Sequence, residues 1–306
     1  MGSYLIKRLL ESLLAVWGVV TIVFFVTRVL GDPSTLLLPV GASAEQIEAL
    51  RSQLGLNEPL VMQYLTFLWQ AVQGDFGTSF QHGRPALAVV WERMPATALL
   101  AGSAMVLGIA IGAVAGAIAA LKRGTVAELV VMTVALLGQA TPVFWLGIML
   151  ILYFGVSLGW LPTGGYGTFA HLVLPALTLA VFVSASIARL LRSSMLDILR
   201  EDYIRTARAK GLMPTTVFLW HTARNALIPV TTMTAILAGE LLGGSVVTET
   251  VFAWPGVGRL ILQAIQANDF PVIQAGIFVV ATIFVLINFA VDMLYGVLDP
   301  RIRAER

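Results

Sequence analysis

Cysteine is absent from this chain of 306 residues, and charge is scarce: Asp, Glu, Lys and Arg together make up 12%. Without cysteine there is no disulfide, no thiolate nucleophile and no cysteine-ligated zinc. Histidine is nearly as rare. His82, His171 and His221 lie far apart, with neither HxxxH nor Cys/His spacing, so metal ligation has no support. Lysine occurs three times, at Lys7, Lys122 and Lys210, after Ile, Leu and Ala. None follows glycine, which excludes a GxxxxGK[ST] phosphate loop. Any ATP hydrolysis that drives this protein has to take place on another subunit.

What the chain has instead is apolar surface. Hydrophobic residues reach 58%, against about 45–50% in soluble domains, where charge is about 25%. Roughly 20 consecutive apolar residues span a bilayer core, and six stretches qualify: 9–30, 97–121, 129–154, 173–191, 229–248 and 274–297. The run "VLGIAIGAVAGAIAA" (106–120) is apolar on every face, which predicts helices rather than barrel strands. The expected fold is an all-α polytopic membrane protein with six transmembrane helices. Lys7 and Arg8 before the first run resemble a signal peptide, but the run is too long and lacks a small-x-small cleavage site, so a retained first helix is expected. Net charge is +2, with the basic residues scattered among loops rather than gathered on a soluble module, and no nucleic-acid partner is expected.

An even number of spans places both termini on one side. With the N-terminus cytoplasmic, that side holds 14 of the 19 Lys and Arg, and the other keeps Arg28, Arg51, Arg84, Arg93 and Arg259. The positive-inside rule therefore predicts cytoplasmic termini. The predicted organisation is an N-terminal elbow and first helix (1–30), a periplasmic helical loop (31–96), a five-helix core (97–297) whose longest cytoplasmic connection is 193–228, and a cytoplasmic tail (298–306). In the outer loop, Ser43 and Gln46 form a capping-box pattern, Gly55 can stop the first helix, and Pro59 and Gly74 bracket the second.

Several features inside the spans carry functional expectations. Gly108, Gly112 and Gly116 recur every four residues and allow a second helix to approach closely, either in this chain or in a partner subunit; Gly239 and Gly243 repeat the spacing. Glu240 is the one acid near the middle of a span, a candidate contact to a cationic substrate group or a polar residue satisfied by neighbouring helices. Asp292, near the end of the last span, reads as an interfacial acid paired with an arginine. "GVSLG" (155–159) matches GxSxG around Ser157, but no strand precedes it and no acid lies between Ser157 and His171, so it is not read as a nucleophile elbow.

The connection 193–228 favours helix at its centre, and Tyr203, Ala207 and Gly211 recur at spacing four, a stripe flanked by Arg205, Arg208 and Lys210. "EDYIRTARAKG", followed by "HTARNALIP", resembles the EAA loop of membrane subunits of binding-protein-dependent ABC importers, and more narrowly the first permease of the peptide, nickel and glutathione branch. Supporting strings run through the chain: "YLIKRLL", "GDP" (31–33), "QLGL" with Pro59, "GDFGTSF", "LGWLPTGG", "GGSVVTETVFAWPGVGRL", "FPVIQA" and "VDMLYGVLDPRIR". Arg205, Thr206 and Ala207 stand where the wider family pattern has Glu-Ala-Ala, so only the last alanine and Gly211 fit.

The resemblance implies the type I ABC importer permease fold in a bacterial inner membrane. It implies a non-catalytic subunit that forms half of a translocation path for di- or oligopeptides, with glutathione or a nickel chelate as alternatives. A self-sufficient secondary transporter is the competing class, disfavoured by the thin set of intramembrane charges. The implied partners are a second homologous permease, two ATP-binding subunits that use ATP and Mg, a periplasmic or lipid-anchored binding protein, and membrane lipid; no cofactor resides in this chain. By the family pattern, Asp202, Tyr203, Ala207 and Gly211 make the ATPase-coupling contact. The segment Glu249–Arg259, with Glu249, Phe252, Trp254, Pro255 and Gly256, is similar to the part that faces the binding protein and gates ligand release.

Overall fold

A backbone in hydrocarbon has no water to satisfy its N–H and C=O groups, so an apolar chain resolves into helices. The computed structural model describes residues 2–29, 34, 38, 42–53 and 55–298. Among these, the only pairing of extended backbone is an isolated antiparallel bridge, Thr78 to Pro85. The helices are α1 (Gly2–Val29), α2 (Ala44–Gln53), α3 (Leu60–Gln73), α4 (Ala86–Leu121), α5 (Val126–Ala140), α6 (Val143–Leu150, continued by a π-helical turn Ile151–Ser157), α7 (Phe169–Ile198), α8 (Asp202–Ala209), α9 (Arg224–Val251), α10 (Val257–Gln266) and α11 (Phe270–Leu298). Gly31–Pro33, the tail from residue 299 and the side chain of Asp292 lie outside the described residues.

Four helices are each long and apolar enough to cross a membrane: α1, α4, α7 and α11. The count rises to six if each of two bent pairs is one span. The stretch expected as one helix over 129–154 is the sharper of these, bent by 105° between α5 and the segment beginning at Val143. Its cause is local. Pro142 forces the preceding Thr141 out of helical geometry, to φ −77 and ψ 126, and Thr141 closes the broken end by donating both its N–H (3.0 Å) and its hydroxyl (2.7 Å) to the Leu137 carbonyl.

Helices α2 and α3 end as their sequence dictates. Ser43 and Gln46 exchange the two bonds of a capping box, at 2.9 and 3.3 Å. Gly55 (φ 67) and Gly74 (φ 75) close α2 and α3 by the same device: the residue after each glycine donates back to Arg51 or Gln70, both at 2.9 Å, while the glycines donate to Ser52 and Ala71.

The chain packs as two units, one built mainly from residues 1–97 and 255–292 and the other from 98–254. In the first, Val20 and Phe24 of α1 share a core with Phe67 of α3, Phe76 after it, Val89 and Val90 of α4, Leu260 of α10 and Ile273 of α11. A ladder of rings runs Phe24–Phe67–Phe76–Phe278, with centroids 5.4, 6.4 and 5.0 Å apart. This unit is tied by a buried carboxylate: Asp269 accepts the Ser79 hydroxyl at 2.6 Å and the amides of Phe80 and Gln81 at 3.2 Å.

The second unit is organised around α7, which has more buried residues than any other helix described. Glycines let its neighbours in. A Cβ added at Gly108 would lie 2.5 Å from Val183 Cβ, at Gly112 2.7 Å from the Ser184 carbonyl, and at Gly116 2.7 Å from the Ala188 carbonyl. Gly138 of α5 meets Val181 in the same way, at 2.8 Å. Gly243 differs: it is exposed, with nothing within 4 Å of an added Cβ.

Two outcomes follow. Gly112→Val is expected to destabilise the purified chain by about 1–3 kcal/mol, as overpacking does, while Gly102→Ala, at an exposed helical position with open space, leaves the thermal midpoint unchanged or slightly raised. Asp269→Asn weakens three hydrogen bonds from one loop and is expected to cost about 1–3 kcal/mol. It should expose the 79–84 turn to limited proteolysis, whereas a wild-type cleavage rate would show that the carboxylate does not hold that turn.

Candidate functional site

The polar segment after α7 is built on three local rules. Glu201 adopts extended geometry at the N-cap of α8, and Asp202 occupies the first turn, where an acid suits the helix dipole. The helix lasts eight residues and closes on a left-handed glycine. Gly211 (φ 78) donates to the Arg208 carbonyl at 3.0 Å and Leu212 to that of Ala207 at 3.3 Å, a Schellman closure that needs glycine or asparagine. Pro214 then opens a short turn that passes through a π-helical segment, Val217–Ala223, into α9.

This geometry divides the stripe expected from Tyr203, Ala207 and Gly211. Ala207 is buried, turned inward with Ile204 against Val217, Ile198 and Leu199. Gly211 lies beyond the helix, and an added Cβ there meets nothing within 4 Å. Its glycine answers to backbone conformation rather than to close approach. Tyr203 is half exposed, and its hydroxyl accepts from Asn225 Nδ2 at 2.9 Å and donates to the His221 carbonyl at 3.4 Å. The tyrosine therefore fastens α8 to the start of α9. The period-four pattern was real, but a helix of eight residues ends before its third member.

The outward surface is made by other residues. Asp202 and Arg205 are exposed and form an ion pair at 3.4 Å, a pairing that contributes little in water. On the same connection, Met213 and Trp220 stand 71% and 65% exposed. Neither was singled out in the sequence, although a tryptophan next to a basic loop was the available signal.

The segment expected to face a partner, Glu249–Gly256, is also folded inward. Glu249, Phe252 and Trp254 are almost fully buried, Gly256 is buried and Pro255 half-buried. Glu249 accepts the Ser245 hydroxyl at 3.3 Å. The Phe252 carbonyl accepts the Gly165 amide at 2.8 Å, and Gly164 must be glycine because a Cβ would sit 2.6 Å from that same oxygen. The Phe252 ring covers Gly147, and Trp254 meets Tyr166 edge to face at 4.8 Å. The physical reason is plain: two large aromatics at a helix end are more stable in the core than in water. What the segment leaves exposed is Thr250 and Ala253, the latter held at φ 52. Ala253 and Trp254 donate to Thr250 and Glu249 at 3.2 and 2.7 Å, the same closure as at Gly211 but with a Cβ in the left-handed region, a cost of about 1–2 kcal/mol.

Glu240 lies on the exposed side of α9, and among the described residues it forms no hydrogen bond or ion pair. Ile236, Gly243 and Val247 share its face and are exposed too. Ser157 ends the π-helical turn after α6. A second serine, histidine and acid do meet elsewhere: Ser79 Oγ donates to Asp269 and lies 3.1 Å from His82 Nδ1. The hydroxyl sits between the other two, so the acid does not orient the imidazole as a nucleophile's base requires.

Comparison with known proteins places these features in a family. Residues 83–304 match the binding-protein-dependent transport system inner membrane component, and residues 1–101 match the N-terminal membrane component of the same systems. Over 304 residues the chain is 46% identical to the glutathione transport system permease protein GsiC of Escherichia coli K12, covering 99% of both chains, and the GsiC protein of Shigella dysenteriae serotype 1 gives the same values. Two solved structures share the fold. The inward-facing MetNI methionine ABC transporter gives a TM-score of 0.55 at 19% identity, covering 69% of this chain and 96% of that one. An amino acid ABC transporter with histidines gives 0.53 at 15%, covering 70% and 94%. The chain belongs to the inner membrane components of binding-protein-dependent transport systems, and is a multi-pass permease subunit of an ABC importer in the bacterial inner membrane.

Proposed function

We propose that this permease forms half of a path for short peptides, and that glutathione, itself a tripeptide, is the ligand to test first. The observation that carries this reading is the 46% identity across 99% of the chain to a glutathione permease. It shifts the weight from the di- and oligopeptides expected from the sequence toward what had been the alternative. A second permease completes the path, a periplasmic or lipid-anchored protein delivers the ligand, and two ATP-binding subunits hydrolyse Mg-ATP. Both termini lie in the cytoplasm with α8. Uptake of labelled glutathione into vesicles holding the assembled complex is the direct test, and transport of dipeptides without glutathione would overturn the choice of ligand.

In this reading the ATPase grips α8 and the turn after it, through Asp202, Arg205, Met213 and Trp220 on the outside. Ile204, Ala207 and Tyr203 pass the movement inward, because they bind α8 to α7 and α9. Ligand release at the opposite side works through the buried Phe252–Trp254 latch rather than through those side chains touching the binding protein. Glu240 offers its carboxylate to the free amino group of the ligand within the path.

Substitutions at Gly211 separate conformation from docking. Gly211→Ala is expected to impair coupling nearly as much as Gly211→Glu, since any Cβ in the left-handed region costs about 1–2 kcal/mol, and Gly211→Asn should retain the most uptake. Full uptake by the alanine variant with severe loss only in the glutamate variant would favour a docking contact at that position. Glu240→Gln is expected to lower uptake of glutathione roughly tenfold relative to its N-acetylated form, the value of one charge-assisted hydrogen bond. Equal losses for both ligands would rule out contact with the amino group.

A further inference from the structure

The turn Lys122–Thr125 joins two apolar helices, so it marks a membrane surface. Arg189 reaches the same level from α7: it lies 20 residues beyond Phe169, roughly 30 Å along a helix and equal to the thickness of a bilayer core. Between them opens a groove of about 750 Å³. One end is basic, with Arg189 and Arg192 on its wall, and the other is apolar, lined by Leu129, Met132 and Leu136 of α5.

The charges at the basic end do not cancel. Glu128 is the acid of the groove, and it is occupied. It accepts Arg192 through Nε at 2.7 Å and again through Nη2, and it accepts the Gly124 amide at 2.5 Å. Arg189 is exposed, and among the described residues it forms no hydrogen bond or ion pair. Lys122 and Arg123 are exposed on the adjoining turn. Two arginines thus line the groove against one committed carboxylate, with two further cations on the turn beside it. Directly below, Leu129 and Leu136 stand 66% and 57% exposed on a helix that carries no other charge. A soluble anion has no use for the leucines, and an apolar helix of a partner has no use for the arginine.

We infer that this groove binds an anionic phospholipid, its headgroup phosphate on Arg189 and an acyl chain along Leu129, Met132 and Leu136. The guanidinium can meet phosphate oxygens with two parallel N–H bonds, a geometry that lysine cannot reproduce. Arg192, held by Glu128, shapes the wall and leaves Arg189 as the anchor.

The test uses the purified full-length chain with phosphatidylglycerol carrying a photoreactive group in its acyl chain, and phosphatidylcholine labelled identically. Phosphatidylglycerol is expected to label Val126–Leu136 in preference to phosphatidylcholine. Arg189→Gln should reduce that labelling roughly tenfold, Arg189→Lys should recover part of it, and Lys7→Gln, at a basic helix end elsewhere, should leave it unchanged. Equal labelling by the two lipids, or undiminished labelling in Arg189→Gln, would overturn the site. So would a cross-link from Leu129→Cys or Leu136→Cys to a partner subunit in the assembled complex, an assay that the absence of native cysteine makes clean.

Discussion

Helix α7 can be buried along most of its length only because its neighbours come close without side chains in the way. In water, two helices are pressed together by the removal of apolar surface. In lipid that force is missing between helices, and association depends on close van der Waals contact. Gly108, Gly112 and Gly116 bring α4 onto α7 so closely that backbone carbonyls of Ser184 and Ala188 take the place of side-chain contacts. Gly138 does the same for α5. The positions of the loop beyond α7 and of the basic groove beside Arg189 both depend on that seam, since both are carried on the last turns of the same helix.

How much was legible depended on whether a signal was local. The capping box at Ser43 and the glycine stops at Gly55 and Gly74 are settled by a few adjacent residues, and they appear in the structure with the expected bonds. Spacing identified the glycine seam but could not name its partner helix. The break at Thr141 was present in the "TPV" string, yet a hydropathy average across 129–154 conceals it, because Pro142 changes direction without changing polarity. The end of α8 before Gly211 and the burial of Phe252 and Trp254 were hidden for a different reason. Periodicity assumes that a helix continues, and it says nothing of which face another part of the chain will cover. Asp269 illustrates the last limit, since its three donors lie some 190 residues away in sequence.

The loop that most resembles its family is also the one whose interior is most firmly committed to its own chain. Ile204 and Ala207 fill a small core, and Tyr203 reaches across to Asn225. A rigid block of this kind suits a mechanical part, because a push on its outer face moves α7 and α9 rather than being absorbed by the loop. Arg205 lies outside the small core, and its pairing with Asp202 is exposed. The outward side chains make no demand on this inner frame, so their chemistry can vary without disturbing it.

The bend of 105° at Thr141 has a further consequence for the surroundings of the chain. A helix that stops leaves its last carbonyls without intrahelical donors, and one that starts leaves its first amides without acceptors. Thr141 serves one carbonyl, that of Leu137, and the groups left over need other partners. Val126–Ala140 covers about 22 Å, short of a full crossing, so these groups sit at a depth where lipid cannot serve them. Protein or water, not hydrocarbon, has to meet them, so the proline that turns the chain also fixes the depth at which α5 and α6 need a polar neighbour.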